Sequence, residues 1–337
     1  MSPHPSAIAA AFISTGIISL APNVLLFLFP NYGASGGSDS GRSILSLGQA
    51  LAAGGLLGDV FIHTLPDCFA DSLHGEDIHN HSNTDIGLRV IFGFSLFLIL
   101  DIFVRLIEDA GGGGDGHSHG CHSQRSGEDH TTRDGRHEKN DHKQPWHRLQ
   151  SSVVLLNLLG DSLHNFTDGL AIGASFSITQ QLPTKNSPTS FISIASSAFT
   201  LIKSKGGLAS VSVFLHEIPH ELGDFATLIK AGFTRNMAIG AQFLTAIAAF
   251  IGTAFGLFSG QIIQGLGHEV LMPFTAGGFL YLACVTILPD VLETDVGVMM
   301  RLLQVAAFLA GVSFMYFVAE LEEMEASDAI HDSHVEL

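Results

Sequence analysis

Apolar residues occur along this chain in long runs that are separated by more polar connections. A helix needs about 20 mostly apolar residues to span the hydrocarbon core of a bilayer. Eight runs meet this requirement, and we predict that each forms a transmembrane helix. They are residues 6–29, 44–68, 87–107, 150–176, 207–231, 237–259, 269–291 and 299–320. The pattern therefore predicts an all-α polytopic membrane protein.

The composition supports the same class of protein. Of the 337 residues, 46% are hydrophobic and only 14% are charged, whereas soluble domains carry about 25% charged residues. The first run lacks a basic region before it and a clear cleavage site after it, so we interpret it as a helix and not as a cleaved signal peptide. The formal net charge is −17 without a basic patch, so we expect the lipid bilayer and no nucleic acid as a partner.

Lysine and arginine are distributed unevenly among the connections, which predicts the orientation in the membrane. The connection 109–148 is rich in both, and Lys230 and Arg235 fall on the same side. We therefore predict that this side is cytoplasmic and that both termini lie on the other side. The predicted regions are 1–108 with helices one to three, a loop at 109–148, helices four to eight at 149–321, and an acidic tail at 322–337.

The connection 109–148 is rich in glycine and histidine and is too polar to form a core, so we expect it to be disordered. Histidine-rich tracts bind zinc-like metals, and His117, His119 and His122 are our candidates for capturing metal in this loop. A passive linker is the alternative. The connection 177–206 is also polar apart from one apolar stretch, which we expect to be too short to span the membrane.

Two motifs place metal-ligand side chains inside apolar runs. The first contains His164, Asn165 and Asp168, and the second contains His216, Glu217 and His220. Residues four apart share one face of a helix, so each motif forms a column of ligands. Ionisable residues within a membrane are costly and usually functional. If the two helices pack together, these six nitrogen and oxygen ligands suit a divalent metal, above all zinc.

Further residues accompany the two columns. Asp161 lies one turn before the first motif, and we expect it to hold a histidine ring in place. Pro219 lies inside the second motif, where it removes a backbone hydrogen bond and favours a kink. A kink of this kind is typical of transport sites but is also found as an architectural feature. Asp59 and His63 on the second helix are either part of a cation pathway or cap and interface residues.

These motifs resemble those of the ZIP (Zrt-, Irt-like) metal transporters, and the second is most similar to the LIV branch and its histidine-rich members from secretory-pathway membranes. The resemblance implies eight helices, with inverted three-helix repeats around helices four and five, and a homodimer. It also implies extracytoplasmic termini and zinc movement into the cytosol across an endoplasmic reticulum or Golgi membrane. Zinc is then the transported substrate, without a cofactor or an enzymatic activity.

The resemblance also implies which residues hold the metal and which accompany it. Some members of the family complete a second metal position with a carboxylate on helix six, where this chain has an apolar stretch after Gln242. We therefore expect one well-bound metal. The implied metal ligands are His164, Asn165, Asp168, His216, Glu217 and His220, and the implied neighbouring or pathway residues are Asp59, His63, Asp161, Glu221 and Gln242.

Two other functions use the same residues. His216, Glu217 and His220 match the H-E-x-x-H pattern of zinc metalloproteases, in which the glutamate is the general base. Pro219 weighs against an intramembrane protease because it bends the helix that must hold both histidines, and His164 and Asn165 would then have no role. A membrane metal sensor would keep every ligand but move no metal.

Overall fold

The computed structural model describes residues 5–28, 39–74, 83–111, 151–178, 205–258, 267–293 and 296–335, and these residues form eight continuous helical segments without a strand. Each segment coincides with one of the eight predicted spans. By length and apolar composition, five of them can cross a membrane. In chain order, the segments are α1 (Pro5–Leu28), α2 (39–74), α3 (Asn83–Gly111), α4 (Ser151–Ile178), α5 (Lys205–Lys230), α6 (Arg235–Phe258), α7 (267–293) and α8 (Val298–Val335).

Some predictions lie outside the described residues. The histidines His117, His119 and His122 and most of the connection 177–206 are among them, so their roles stay predictions. The division of the chain into four regions likewise stays a prediction. The backbone of α8 continues through Val335, which makes most of the acidic segment 322–337 a continuation of the last helix.

Both α2 and α7 contain a six-residue π-helical turn that is followed directly by Leu-Pro-Asp. In α2 the turn is Asp59–Thr64 and precedes Pro66, and in α7 it is Leu282–Ile287 and precedes Pro289. Proline has no N–H to donate and its ring clashes with the carbonyl one turn earlier. A wider turn before the proline relieves this conflict. A π-helical turn before a proline therefore occurs in the second helix of α1–α3 and in the second helix of α6–α8.

Close glycine contacts repeat in the same way. A Cβ atom at Gly54 of α2 would lie 2.0 Å from the backbone oxygen of Phe308 in α8, and a Cβ atom at Gly277 of α7 would lie 2.0 Å from the backbone oxygen of Val90 in α3. If α1, α2 and α3 correspond to α6, α7 and α8, then the contact of α2 with α8 corresponds to the contact of α7 with α3. The bundle is thus built from two three-helix repeats around α4 and α5.

The helices form two packed groups that meet along α2 and α5. One group contains α2, α3, α7 and α8, and the other contains α1, α4, α5 and α6. In the second group, α4 and α6 approach closely at Gly169 and Gly252. At one end of the bundle, Lys230 of α5 joins the groups because its Nζ lies 3.1 Å from Oδ2 of Asp290 in α7 and donates to Oε1 of Gln49 in α2 at 3.2 Å. By the distribution of basic residues, this is the predicted cytoplasmic end.

Candidate metal centre

The structure brings the two predicted ligand columns together in the middle of α4 and α5. One ligand atom from each of His164, Asp168, His216 and Glu217 lies within 4.8 Å of the other three. Nε2 of His216 is 2.9 Å from Oδ2 of Asp168, and Nε2 of His164 is 3.5 Å from the same oxygen and 3.6 Å from Oε1 of Glu217. Two imidazoles and two carboxylates form a four-ligand set of the kind that zinc prefers.

Pro219 positions the histidines of α5 without ending the helix, which continues to Lys230. The proline is buried, and a Cβ atom at Gly55 of α2 would lie 3.1 Å from its Cβ. The small residue on α2 thus makes room for the proline ring. Because proline cannot donate to the carbonyl of Leu215, one backbone acceptor next to His216 is released from the helical pattern.

His220 stands beside the four-ligand set. Its ring is stacked on that of His164 with centroids 4.7 Å apart, and it also contacts the ring of Phe279 in α7 at 5.2 Å. Nε2 of His220, Nε2 of His164 and Nδ1 of His216 are buried without a hydrogen-bond partner. Since an unpaired buried polar atom is costly, these ring nitrogens are suited to bind a cation.

Asp161 contacts a different side chain from the one we expected. Its Oδ1 accepts a hydrogen bond of 2.5 Å from Nδ2 of Asn165, which also donates to the backbone oxygen of Asp161 at 3.1 Å. Asn165 lies four residues after Asp161 and therefore on the same face of α4, whereas His164 points toward α5 and α7. With its amide nitrogen held by Asp161, Asn165 retains its oxygen as a potential ligand.

A small cavity of about 30 Å³ adjoins the four-ligand set on the side away from Lys230. Asp59 and His63 of α2 line it, and the ring of His63 lies 5.8 Å from that of His216. The π-helical turn of α2 carries both residues. Nδ1 of His63 is 3.8 Å from Oδ2 of Asp67, whose side chain is 51% exposed. Acidic and imidazole groups thus lie next to one another between the exposed Asp67 and the four-ligand set.

Sequence reasoning missed the contribution of α7 to the centre. Phe279 packs against both His164 and His220, while Met272 and Thr275 line the cavity. An apolar helix gives little sequence signal about which face meets a site. On the opposite side of the centre, Nε2 of Gln242 in α6 donates to the backbone oxygen of Glu221 at 2.7 Å, which ties α6 to α5.

Known proteins resemble this chain over most of its length, including the helices that carry the centre. A family model described as ZIP zinc transporter matches residues 6–185 and 191–319. Zinc transporter SLC39A7 of Rattus norvegicus is 34% identical over 371 residues, which cover 93% of this chain and 72% of the relative. SLC39A7 of Homo sapiens is 33% identical over 368 residues, with 93% and 71% covered. Zinc transporter ZIP13 of Gallus gallus is 32% identical over 330 residues, with 92% and 83% covered.

Proposed function

The chain belongs to the ZIP family of zinc transporters, and we propose that its centre on α4 and α5 carries zinc into the cytosol. It is an integral membrane protein that transports zinc and is not an enzyme, so zinc is its substrate and not a cofactor. The proposed ligands are His164, Asn165, Asp168, His216, Glu217 and His220.

The observation that carries this proposal is the convergence of two imidazoles and two carboxylates, from two membrane helices, within 4.8 Å. A charged or polar group in the middle of a membrane bundle is expensive, and four of them together are retained only for a function. Three buried ring nitrogens without a hydrogen-bond partner add to this argument. The same groups would give zinc a dehydrated binding site between the two sides of the membrane.

The position of the cavity supports the proposed direction. It lies on the side of the centre that faces the predicted extracytoplasmic connections, while the ion pair of Lys230 and Asp290 joins α5 to α7 on the cytoplasmic side. A centre that is reached from the lumen or the cell exterior and is closed toward the cytosol is what the first step of import requires, and both features support this direction. Asp59 and His63 would guide zinc to the centre.

We also propose that the protein works as a homodimer in an endoplasmic reticulum or Golgi membrane and binds one zinc ion firmly. The histidine-rich loop 109–148 would face the cytosol and capture zinc there through His117, His119 and His122. The homodimer and the membrane rest on the resemblance of the motifs to the family and its histidine-rich members, whereas the role of the loop rests on its histidine-rich composition. Gln242 supports a single firmly bound ion because an amide replaces the acidic ligand that a second ion would need.

Zinc uptake into liposomes that contain the purified protein tests transport directly. Purified full-length protein is reconstituted into vesicles that contain a zinc-sensitive dye, and zinc is added outside. We expect a zinc-dependent signal that saturates with zinc concentration, because a binding site of fixed number limits the flux. A folded, reconstituted protein that gives no more signal than empty vesicles would contradict transport and favour the metal sensor.

His63 provides a prediction about access to the centre. Replacing His63 with alanine should raise the zinc concentration for half-maximal uptake about 5- to 10-fold and leave the maximal rate nearly unchanged, because about 1 kcal/mol of attraction on the access path is lost. Concentration series in the same vesicles measure both parameters.

Asp85→Asn is the control for this variant, since Asp85 is only partly exposed on α3 and does not line the cavity. It should behave like the unaltered protein. If the His63 variant and this control give the same half-maximal concentration, the cavity is not the access route for zinc.

A further inference from the structure

A second acidic cluster lies on the same two helices as the metal centre, but on the cytoplasmic side of it. The acidic cluster consists of Asp161 on α4 and of Glu221 and Asp224 on α5. Asp161 precedes the proposed ligands His164 and Asp168 by three and seven residues, or about 5 and 10 Å along the helix axis. On α5, Glu221 follows His220 directly, and Asp224 follows His220 and His216 by four and eight residues, or about 6 and 12 Å. Because α4 and α5 run in opposite directions, both displacements lead to the same side.

The three carboxylates act on one another. Glu221 interacts electrostatically with both Asp161 and Asp224, and Asp224 interacts with Asp161. Asp161 and Glu221 are 5% and 2% exposed, so water screens their repulsion weakly. Within the described part of the chain, every charged group that acts on Glu221 is itself acidic. Such a group of buried like charges is strongly unfavourable unless an electropositive partner offsets it.

Unpartnered polar atoms give an independent indication of a ligand. Oδ2 of Asp161 and Oε2 of Glu221 have no hydrogen-bond partner among the described residues. Asn157, one turn before Asp161, is 1% exposed; its amide nitrogen faces the carboxylate of Asp224, and its amide oxygen has no hydrogen-bond partner among the described residues. A carboxylate and an amide oxygen are common ligands for divalent cations. From α6, Thr245 interacts with Asp161, and Nε2 of Gln242 donates to the backbone oxygen of Glu221.

We propose that Asp161, Glu221 and Asp224, together with the amide oxygen of Asn157, form a second divalent-cation site that receives zinc from the metal centre. The role of this site in transport rests on the proposed function, whereas its ability to bind a cation does not. It lies between the centre and the cytoplasmic end of α5, where an ion released from His216 and His220 would next find ligands.

The chemistry of the acidic cluster suits a transfer site. Zinc binds imidazole nitrogen more firmly than oxygen in sites of comparable geometry, and an oxygen-only site is therefore weaker. The ligand atoms of the four-ligand set all lie within 4.8 Å of one another, and among the described residues the three carboxylates of the acidic cluster do not form such a group. The acidic cluster is therefore the looser of the two. A loose site of this kind accommodates a partly hydrated ion and releases it quickly.

Manganese binding measured by electron paramagnetic resonance tests the acidic cluster, because Mn²⁺ favours oxygen ligands over imidazole. Full-length purified protein is titrated with Mn²⁺, and zinc is then added as a competitor. We expect the double variant Asp161→Asn/Glu221→Gln to bind one Mn²⁺ fewer per chain than the unaltered protein, and zinc to displace that ion. Thermal melting verifies that each variant is folded.

The matched control is Asp85→Asn/Glu293→Gln, which removes two acidic groups outside the acidic cluster and should bind as many Mn²⁺ ions as the unaltered protein. If the first double variant does not fold, Asp224→Asn replaces it, since Asp224 is half-buried, and should weaken Mn²⁺ binding at least about fivefold. Equal binding by the folded cluster variant and the unaltered protein would show that the carboxylates hold protons only, and would overturn the site.

The Mn²⁺ titration and the liposome assay distinguish failure of the acidic cluster as a cation site from failure of the proposed transport function. Loss of Mn²⁺ binding in the variant, with no zinc uptake by the unaltered protein in liposomes, would retain the site and reject transport. Zinc uptake with no difference in Mn²⁺ binding would retain transport and reject the site.

Discussion

Replacing His164 or His220 with alanine should abolish zinc uptake while leaving the protein folded. His164 is central to the site, because its ring contacts those of His216 at 5.3 Å and of His220 at 4.7 Å and its Nε2 faces both Asp168 and Glu217. Loss of a residue that merely supports a metal ligand costs 10- to 100-fold in affinity. Loss of a ligand should therefore reduce uptake by about 100-fold or more, measured as the initial rate in dye-loaded vesicles.

The folded state should survive these substitutions because each removes a buried ring nitrogen without a hydrogen-bond partner, which offsets part of the cost of the cavity left behind. Size-exclusion elution and thermal melting check this point. Phe317→Ala is the control, since Phe317 is 54% exposed on α8 and does not line the cavity beside the centre. Uptake at the unaltered rate in both histidine variants would remove these residues from the site, even if the protein is a zinc transporter.

The eight helices were predictable from the sequence because a bilayer sets a length requirement that apolar runs either meet or fail. The relation of His164 to Asp168, and of His216 to His220, was predictable for a similar reason, since helical spacing alone puts each pair on one face. The contact between the two columns was not fixed by spacing. It depends on how α4 and α5 pack, and the family resemblance supplied that expectation.

Other features depend on three-dimensional packing that the sequence pattern does not encode. Asp161 pairs with Asn165 and not with a histidine, because the ring of His164 points toward α5 and Phe279. Phe279 itself belongs to a helix that is apolar on every side, so nothing in its sequence indicated which face meets the centre. The π-helical turn that carries Asp59 and His63 was also missed, although Pro66 lies two residues after its end and signals an interrupted helix.

Substituting Gly252 with alanine should destabilise the helix pair that supports the metal centre. A Cβ atom at Gly252 would lie 2.1 Å from the backbone oxygen of Phe166, so α4 and α6 cannot keep their present distance. Forcing an extra methyl into a packed contact costs about 1–3 kcal/mol and sometimes more. Since Phe166 lies between the proposed ligands Asn165 and Asp168, the displaced backbone should also distort the site, and both the melting temperature and the uptake rate should fall.

Gly240→Ala on the same helix is the matched control, because nothing lies within 4 Å of a Cβ atom at that position. The two variants make the same chemical change in the same helix and gain the same helical propensity, up to about 1 kcal/mol. Any difference between them therefore measures the close approach of α4 and α6. Equal melting temperatures and equal uptake rates would mean that the contact between Gly252 and Phe166 does not hold the proposed ligands of α4 in place.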